Sequence, residues 1–215
     1  MPTASLNNFG VVGNNEDTDG ALLMPKLQYR YRVILTKFGS DSDGTGDSTY
    51  LTQQVIDVSK PNVSFDDITL DTYNSRIYLA GKTTWEPITL NVRDDISNKV
   101  QNAVGEQLQK QFDFFEQSSA ATGSDYKFTM RIEILDGGNS ASGGYHDVYV
   151  IETFTLMGCY IQSVNYNSLN YAESAANTIS LTIRYDNALQ SAHTDNPGVG
   201  KKLSTPTTKY TTSTG

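Results

Sequence analysis

The sequence predicts a mainly β fold, a barrel or sandwich of seven or more strands with one flanking amphipathic helix. Three observations carry that expectation. Apolar and polar residues alternate in several separate segments, the period-two signature of half-buried strands. One segment abandons that period for a stripe of apolar residues at helical spacing. Gly, Asp, Ser and Pro gather between the segments, where turns require them.

In chain order, residues 27–37 place Leu27, Tyr29, Tyr31, Val33 and Leu35 on one face and Gln28, Arg30, Arg32 and Thr36 on the other. A Gly/Asp/Ser loop follows at 39–48, and 50–58 resumes an extended pattern before Pro61. Two short β-type segments, 63–70 and 76–79, flank Asp71, Thr72, Tyr73 and Asn74 and read as an extended hairpin. Gly81 separates that hairpin from a longer strand at 83–92, where Ile88, Leu90 and Val92 share a face. Ile96, Val100, Val104, Leu108, Phe112 and Phe115 then trace one stripe of a helix over 94–117. Asp94 or Asp95 supplies its N-cap, and Gly105 costs it about 1 kcal/mol relative to Ala. Beyond Gly123 alternation returns in Tyr126, Phe128, Met130, Ile132 and Ile134. A Gly/Ser loop at 136–147 leads to strands at 148–157 and 159–166, and Ile179, Leu181, Ile183 and Tyr185 close the body.

The ends read differently. Residues 1–25 are an arm rich in Asn, Gly and Asp, and 26–189 form a single β domain. Residues 190–215 are a tail in which eight of the eleven residues from Ser204 to Thr214 are Ser or Thr, too polar to repay their own ordering.

Composition narrows the function classes. The 215 residues carry a formal net charge of −8, which argues against gripping nucleic acid, because phosphate neutralisation needs clustered Lys and Arg. No apolar run is long enough to span a membrane, so no membrane insertion is expected, and the N-terminus lacks the apolar core of a secretory signal. The lone cysteine, Cys159, permits neither an intramolecular disulfide nor a multi-cysteine zinc site.

Candidate chemistry is sparse. His146 lies in a Gly-rich loop and His193 near the C-terminus, while Cys159 sits in an apolar strand beside Gly158, where a small buried thiol is expected. No nucleophile-elbow, zinc-protease or P-loop pattern occurs, so neither catalysis nor a cofactor is expected. Asp41, Asp43 and Asp47 have the spacing of a hard-cation loop, but the twelfth position is Thr52 rather than an acid, and a solvated turn is the expectation. Glu152 shares a strand face with Val150 and Phe154, so it is either paired inside or turned toward a neighbour. Charge falls in blocks: residues 26–38 hold four basic and no acidic side chains, whereas 39–60 hold four acidic and one basic. Such blocks suit either solvated faces or complementary contacts between copies. Tyr160, Tyr166 and Tyr171 are candidate interface anchors or ordinary sheet packing.

Residues 65–95 resemble the tail tube proteins of contractile-tailed bacteriophages. Gly81, Trp85, the strand Ile88-Thr89-Leu90-Asn91-Val92 and the helix from Asp94 follow that family's order. Residues 154–166, with Gly158-Cys159, resemble its next element, and 178–186 its closing strand. The resemblance spans roughly residues 27–189. It implies a structural virion protein of the phage tail, with six copies in a ring and rings stacked into a hollow conduit for DNA ejection. Its partners would be further copies of itself, a sheath, a baseplate and a tail terminator, with DNA passing unbound. Leu70, Tyr73, Ile77 and Leu79 are then candidate inter-subunit contacts, because they exceed what a solvent-exposed hairpin needs. The polar strand faces Thr129, Arg131 and Glu133, and Ser180, Thr182 and Arg184, are candidates for the lumen wall. Two alternatives stand beside this: the tube of a bacterial secretion or contractile injection system, and a ligand- or carbohydrate-binding β-sandwich using the loops at 39–48 and 136–147, of whose aromatics only Tyr145 is present.

Overall fold

A computed structural model of the chain describes residues 26–39, 49–135, 150–172 and 174–192. Contacts divide the chain into Met1–Arg30 and Tyr31–Gly215. Of the first unit the described part is a turn, closed where the Arg30 N–H donates to the Leu27 carbonyl at 3.3 Å.

The second unit runs β1 (Tyr31–Thr36), α1 (Thr49–Gln54), β2 (Val55–Val58), β3 (Val63–Thr72), β4 (Ser75–Trp85), β5 (Ile88–Arg93), α2 (Lys99–Gln111), β6 (Phe112–Asp113), β7 (Ser118–Ser119), α3 (Gly123–Tyr126), β8 (Phe128–Leu135), β9 (Val150–Asn165), β10 (Thr178–Arg184) and β11 (Asn187–Ala192). Seven of these strands form one antiparallel sheet, ordered β1-β8-β9-β10-β5-β2, with β11 also paired to β9. The mainly β class is therefore the observed one, with α2 as the expected flanking helix and two short helices, α1 and α3, in addition. β9 is a single strand of 16 residues where the sequence suggests two. Its first part pairs with β8 and β11, its last part with β10.

β9 turns the corner between these partners at Gly158, which adopts φ 67°, a conformation that suits glycine. The Asp186 N–H donates to the Met157 carbonyl at 3.0 Å, and the Lys127 ammonium holds the Asp186 carboxylate at 2.6 Å. A β-carbon at Gly158 would lie 2.2 Å from Asp186 Oδ2, so only glycine fits beneath that clamp.

The two halves of the sheet turn their inner faces onto one core. Val33 and Leu35 of β1, Met130 and Ile132 of β8, and Leu156 of β9 meet Ile88, Leu90 and Val92 of β5 and Ile179, Leu181 and Ile183 of β10. The alternation read from the sequence is thus the alternation of burial. β10 shows it in its simplest form, with Ile179, Leu181 and Ile183 buried between half-buried polar neighbours. Side chains tie β1 to α1 and to β2, the sheet's other outer strand: Thr52 of α1 donates to the Val33 carbonyl at 2.6 Å, and the Tyr31 hydroxyl donates to the Ile56 carbonyl of β2 at 2.6 Å. Burial there, with the Asp57 charge beside it, pushes the Tyr31 phenol up from its ordinary pKa.

α2 covers the core with Val100, Ala103, Val104 and Gln107. Gln107 is fully buried and bridges the turn after β1 and the end of α3, accepting from the Gly39 N–H at 3.2 Å and donating to the Tyr126 carbonyl at 2.6 Å. At its last turn the Gln111 amide pairs with β9 as a neighbouring strand would, donating to the Ile161 carbonyl at 2.9 Å and accepting from its N–H at 2.8 Å.

Several expected bounds shift. The first strand starts at Tyr31, not Leu27. Thr49–Gln54, expected to be extended, is a helix, and only Val55–Val58 of that segment is strand. α2 is 13 residues long rather than the 24 of the stripe. Its N-cap position is Asn98, although the Asp95 carboxylate still accepts the Lys99 N–H at 3.1 Å. Phe112 leaves the helix in extended geometry because the Asp113 carboxylate gathers the Phe115 and Glu116 N–H groups at 2.9 and 3.2 Å. Ile96 and Phe115 are consequently exposed outside the helix. Gly81 lies within β4 rather than between strands, in a bulge where residues 81 and 82 face Asp66 and its absent β-carbon would sit 2.8 Å from the Asp66 carbonyl oxygen. β11 has no counterpart in the sequence reading and continues to Ala192.

Candidate assembly surfaces

The β3–β4 hairpin forms its own two-stranded sheet, and every residue of β3 is exposed. Cross-strand pairing sets its faces. Ile68 pairs with Leu79 and Leu70 with Ile77, so these four share one side. Each remains 46–49% exposed, the exposure left when a side chain has a cross-strand neighbour and nothing above it. Thr69 pairs with Tyr78 and Asp71 with Arg76 on the opposite side, which also carries Phe65. Tyr73, at the tip, is 99% exposed. The tip is held by Thr72, which donates to the Ser75 carbonyl at 2.7 Å, and by the Asp71–Arg76 ion pair at 2.7 Å. Leu70, Ile77 and Leu79, three of the four candidate contact residues, thus lie together on one face, and Tyr73 caps its end. The sequence reading did not include Phe65 and Tyr78 of the other face; the strict alternation from Val63 to Phe65 was the available signal.

The six candidate lumen residues lie on two parts of the sheet joined through β9. Thr129, Arg131 and Glu133 alternate with the buried residues of β8. Glu133 is itself buried and carries an ion pair from Arg32, its cross-strand neighbour on β1, while Arg131 Nε is buried without a hydrogen-bond partner. Ser180, Thr182 and Arg184 alternate with the core residues of β10. Here the register builds transverse rows: Asn91, Ser180 and Asn165 in one, Thr89, Thr182 and Ser163 in the next. This surface is hydroxyl- and amide-rich, and the first row ends on a carboxylate, Asp57 of β2, which accepts from the Asn91 amide at 2.8 Å.

The remaining candidates resolve singly. Cys159 is fully buried, its thiol donating to the Leu156 carbonyl at 3.4 Å, and burial pushes its pKa up to about 12. A thiol so placed is no nucleophile at neutral pH. Glu152 is paired inside, accepting from the Gln190 amide across the β9–β11 ladder. Tyr160 packs edge-on to Tyr126 at 6.4 Å, whereas Tyr166 and Tyr171 are exposed. His146, His193, the acidic loop with Asp41, Asp43 and Asp47, and the whole loop at 136–147 lie outside the described residues. Among the described residues no cluster of His, Cys, Asp and Glu is placed to hold a metal ion. No described helix is long and apolar enough to cross a membrane.

Comparison with known proteins yields likeness in structure only. No family model matches the sequence, and no curated protein matches it. A chain of the anti-feeding prophage baseplate, solved with six-fold symmetry, superposes with a TM-score of 0.58 at 11% identity, covering 80% of this chain and 98% of that one. A chain of the extended sheath–tube complex of the PVC extracellular contractile injection system gives 0.54 at 14% identity, over 88% and 99%. The SPP1 tail tube gives 0.50 at 14% identity, over 78% and 80%. At such identities the likeness speaks for the backbone alone: the chain has a tail-tube-like fold.

Proposed function

We propose that the protein is the subunit of a hollow tube, built from stacked six-membered rings, in the tail of a contractile-tailed phage. In this reading it is a structural component of the virion that performs no catalysis. Its partners are other copies of the chain, a sheath, a baseplate and a terminator, and DNA passes through without specific binding. One observation carries the proposal: an apolar hairpin that leaves the body with both faces uncovered. An isolated two-stranded hairpin is marginal in water, so this one gains its stability from a surface outside the chain. Covering each half-exposed Leu or Ile would contribute about 1 kcal/mol. A contact between unlike patches of identical subunits closes into a ring or propagates along an axis.

The fold-level likeness to chains of the anti-feeding prophage and PVC assemblies supports a second reading, the tube of a contractile injection system that carries protein rather than DNA. Both readings predict the same assembly. Electron microscopy of the purified chain tests it: tubes or six-fold rings are expected, and a persistent monomer at high concentration would sink both. Removing residues 66–81 should leave a folded monomer that forms no tubes. Nuclease-protected DNA in tubes isolated from particles would separate the phage reading from the injection reading.

A further inference from the structure

The hairpin has two chemically unlike faces, and both are open. One presents Ile68, Leu70, Ile77 and Leu79, a patch suited to a dry contact. The other presents Phe65 and Tyr78, 56% and 64% exposed, beside the Asp71–Arg76 ion pair, the mixture of aromatic and polar groups found in wetter interfaces. A ribbon that docks on one side only and leaves the other in water would carry polar residues throughout the second side. This one places two large aromatic residues there. Area points the same way, because residues 63–85 by themselves approach the roughly 20–30 residues that a standard interface uses on each partner. Using that length demands both faces, since a single face of a two-stranded ribbon offers only every second residue.

We propose that each hairpin is clasped between two other copies of the chain, one seated on the Ile68/Leu70/Ile77/Leu79 face and a different one on the Phe65/Tyr78 face. The inference rests on the tube reading and adds to it that one arm ties three subunits together. Such an arm would lock adjacent rings against rotation, because sliding past one neighbour would mean leaving the other.

The test uses the full chain. Tyr78→Cys and Leu79→Cys, one residue apart on opposite faces, are made singly and together, and each thiol carries a photo-activated cross-linker. Cys159 stays unlabelled, being fully buried. A trace of labelled protein is assembled with a large excess of wild-type chain, so that each labelled copy meets only unlabelled neighbours. The expected result is dimers from each single variant and trimers from the double variant. Dimers alone from the double variant would mean that one copy cups both faces, and a single variant that fails to cross-link would mean that one face is free; either overturns the proposal. Wild-type chain that forms no tubes at all would instead overturn the assembly reading beneath it. In parallel, Ile77→Thr/Leu79→Thr and Phe65→Ser/Tyr78→Ser should each abolish tube growth while leaving the unfolding midpoint of the body unchanged. Normal growth of either variant refutes a two-sided clasp.

Discussion

Gly158 and its neighbours concentrate much of the residue-scale physics. The positive φ and the missing space for a β-carbon are separate demands for glycine. Gly158→Ala should therefore destabilise the body by about 2–3 kcal/mol, read as a lower thermal midpoint. Adding Asp186→Ala should restore only part of the loss, since it opens space but leaves the left-handed backbone. Next to it, Cys159 and Tyr185 link stability to alkaline pH. Burial raises the thiol from 9.0 to about 12 and the Tyr185 phenol from 10.0 to about 12. The fold favours the protonated form of each, so their contributions are intact below about pH 9 and fade as pH climbs toward about 12. Denaturant titrations across that window should show stability falling, and Cys159→Ala should flatten the fall even though it lowers stability overall. A slope unchanged by the substitution would assign the alkaline sensitivity elsewhere.

At the scale of elements, the strands were legible because period two states directly which side chains turn inward; Ile179, Leu181 and Ile183 are buried as their spacing requires. α2 was legible in its centre and illegible at its ends. Val100 and Val104 lie on the core, but Asp113 ends the helix by taking backbone N–H groups, a competition that a hydrophobic stripe does not encode. α1 escaped notice because six residues are too few to display a helical period, and of residues 51–54 only Leu51 is fully buried. Gln107 looked like any polar helix residue, yet it is the buried bridge between Gly39 and Tyr126. Gln107→Leu keeps the volume but strands a buried N–H and a partly buried carbonyl, and should cost about 2 kcal/mol. Chemical denaturation measures this, and a cost near zero would mean that water replaces the amide. On the tube reading the hairpin should behave oppositely, adding little to the body's stability and much to association, because it packs on no other part of the described body.

For the molecule as a whole, the proposed tube would make opposite demands on its surface, apolar for association and polar for passage. Tube growth driven by the hairpin should be promoted by sulfate, which strengthens apolar burial, and should not require low ionic strength. Light scattering at graded sulfate checks this. The net charge of −8 and the rows through Ser180 and Thr182, which hold hydroxyls, amides and the Asp57 carboxylate but no cation, suit a wall that does not hold a polyanion. Ser180→Lys/Thr182→Lys places cations on that wall. If it borders the channel, variant tubes should retain short duplex DNA at low salt and release it steeply as salt rises. Variant tubes that ignore DNA would place β10 away from the channel.

By itself, the sequence determined the fold class, the core faces of the strands, the covering helix and the surplus of apolar residues in the hairpin, because each is written in the local spacing of apolar side chains. Only the tertiary structure decided that β9 is one strand bent at Gly158, that Glu133 and Glu152 are buried with partners, and that the hairpin stands clear of the core with both faces open. Those facts depend on which distant residues meet across a ladder or a corner, and local periodicity carries no record of distant pairing.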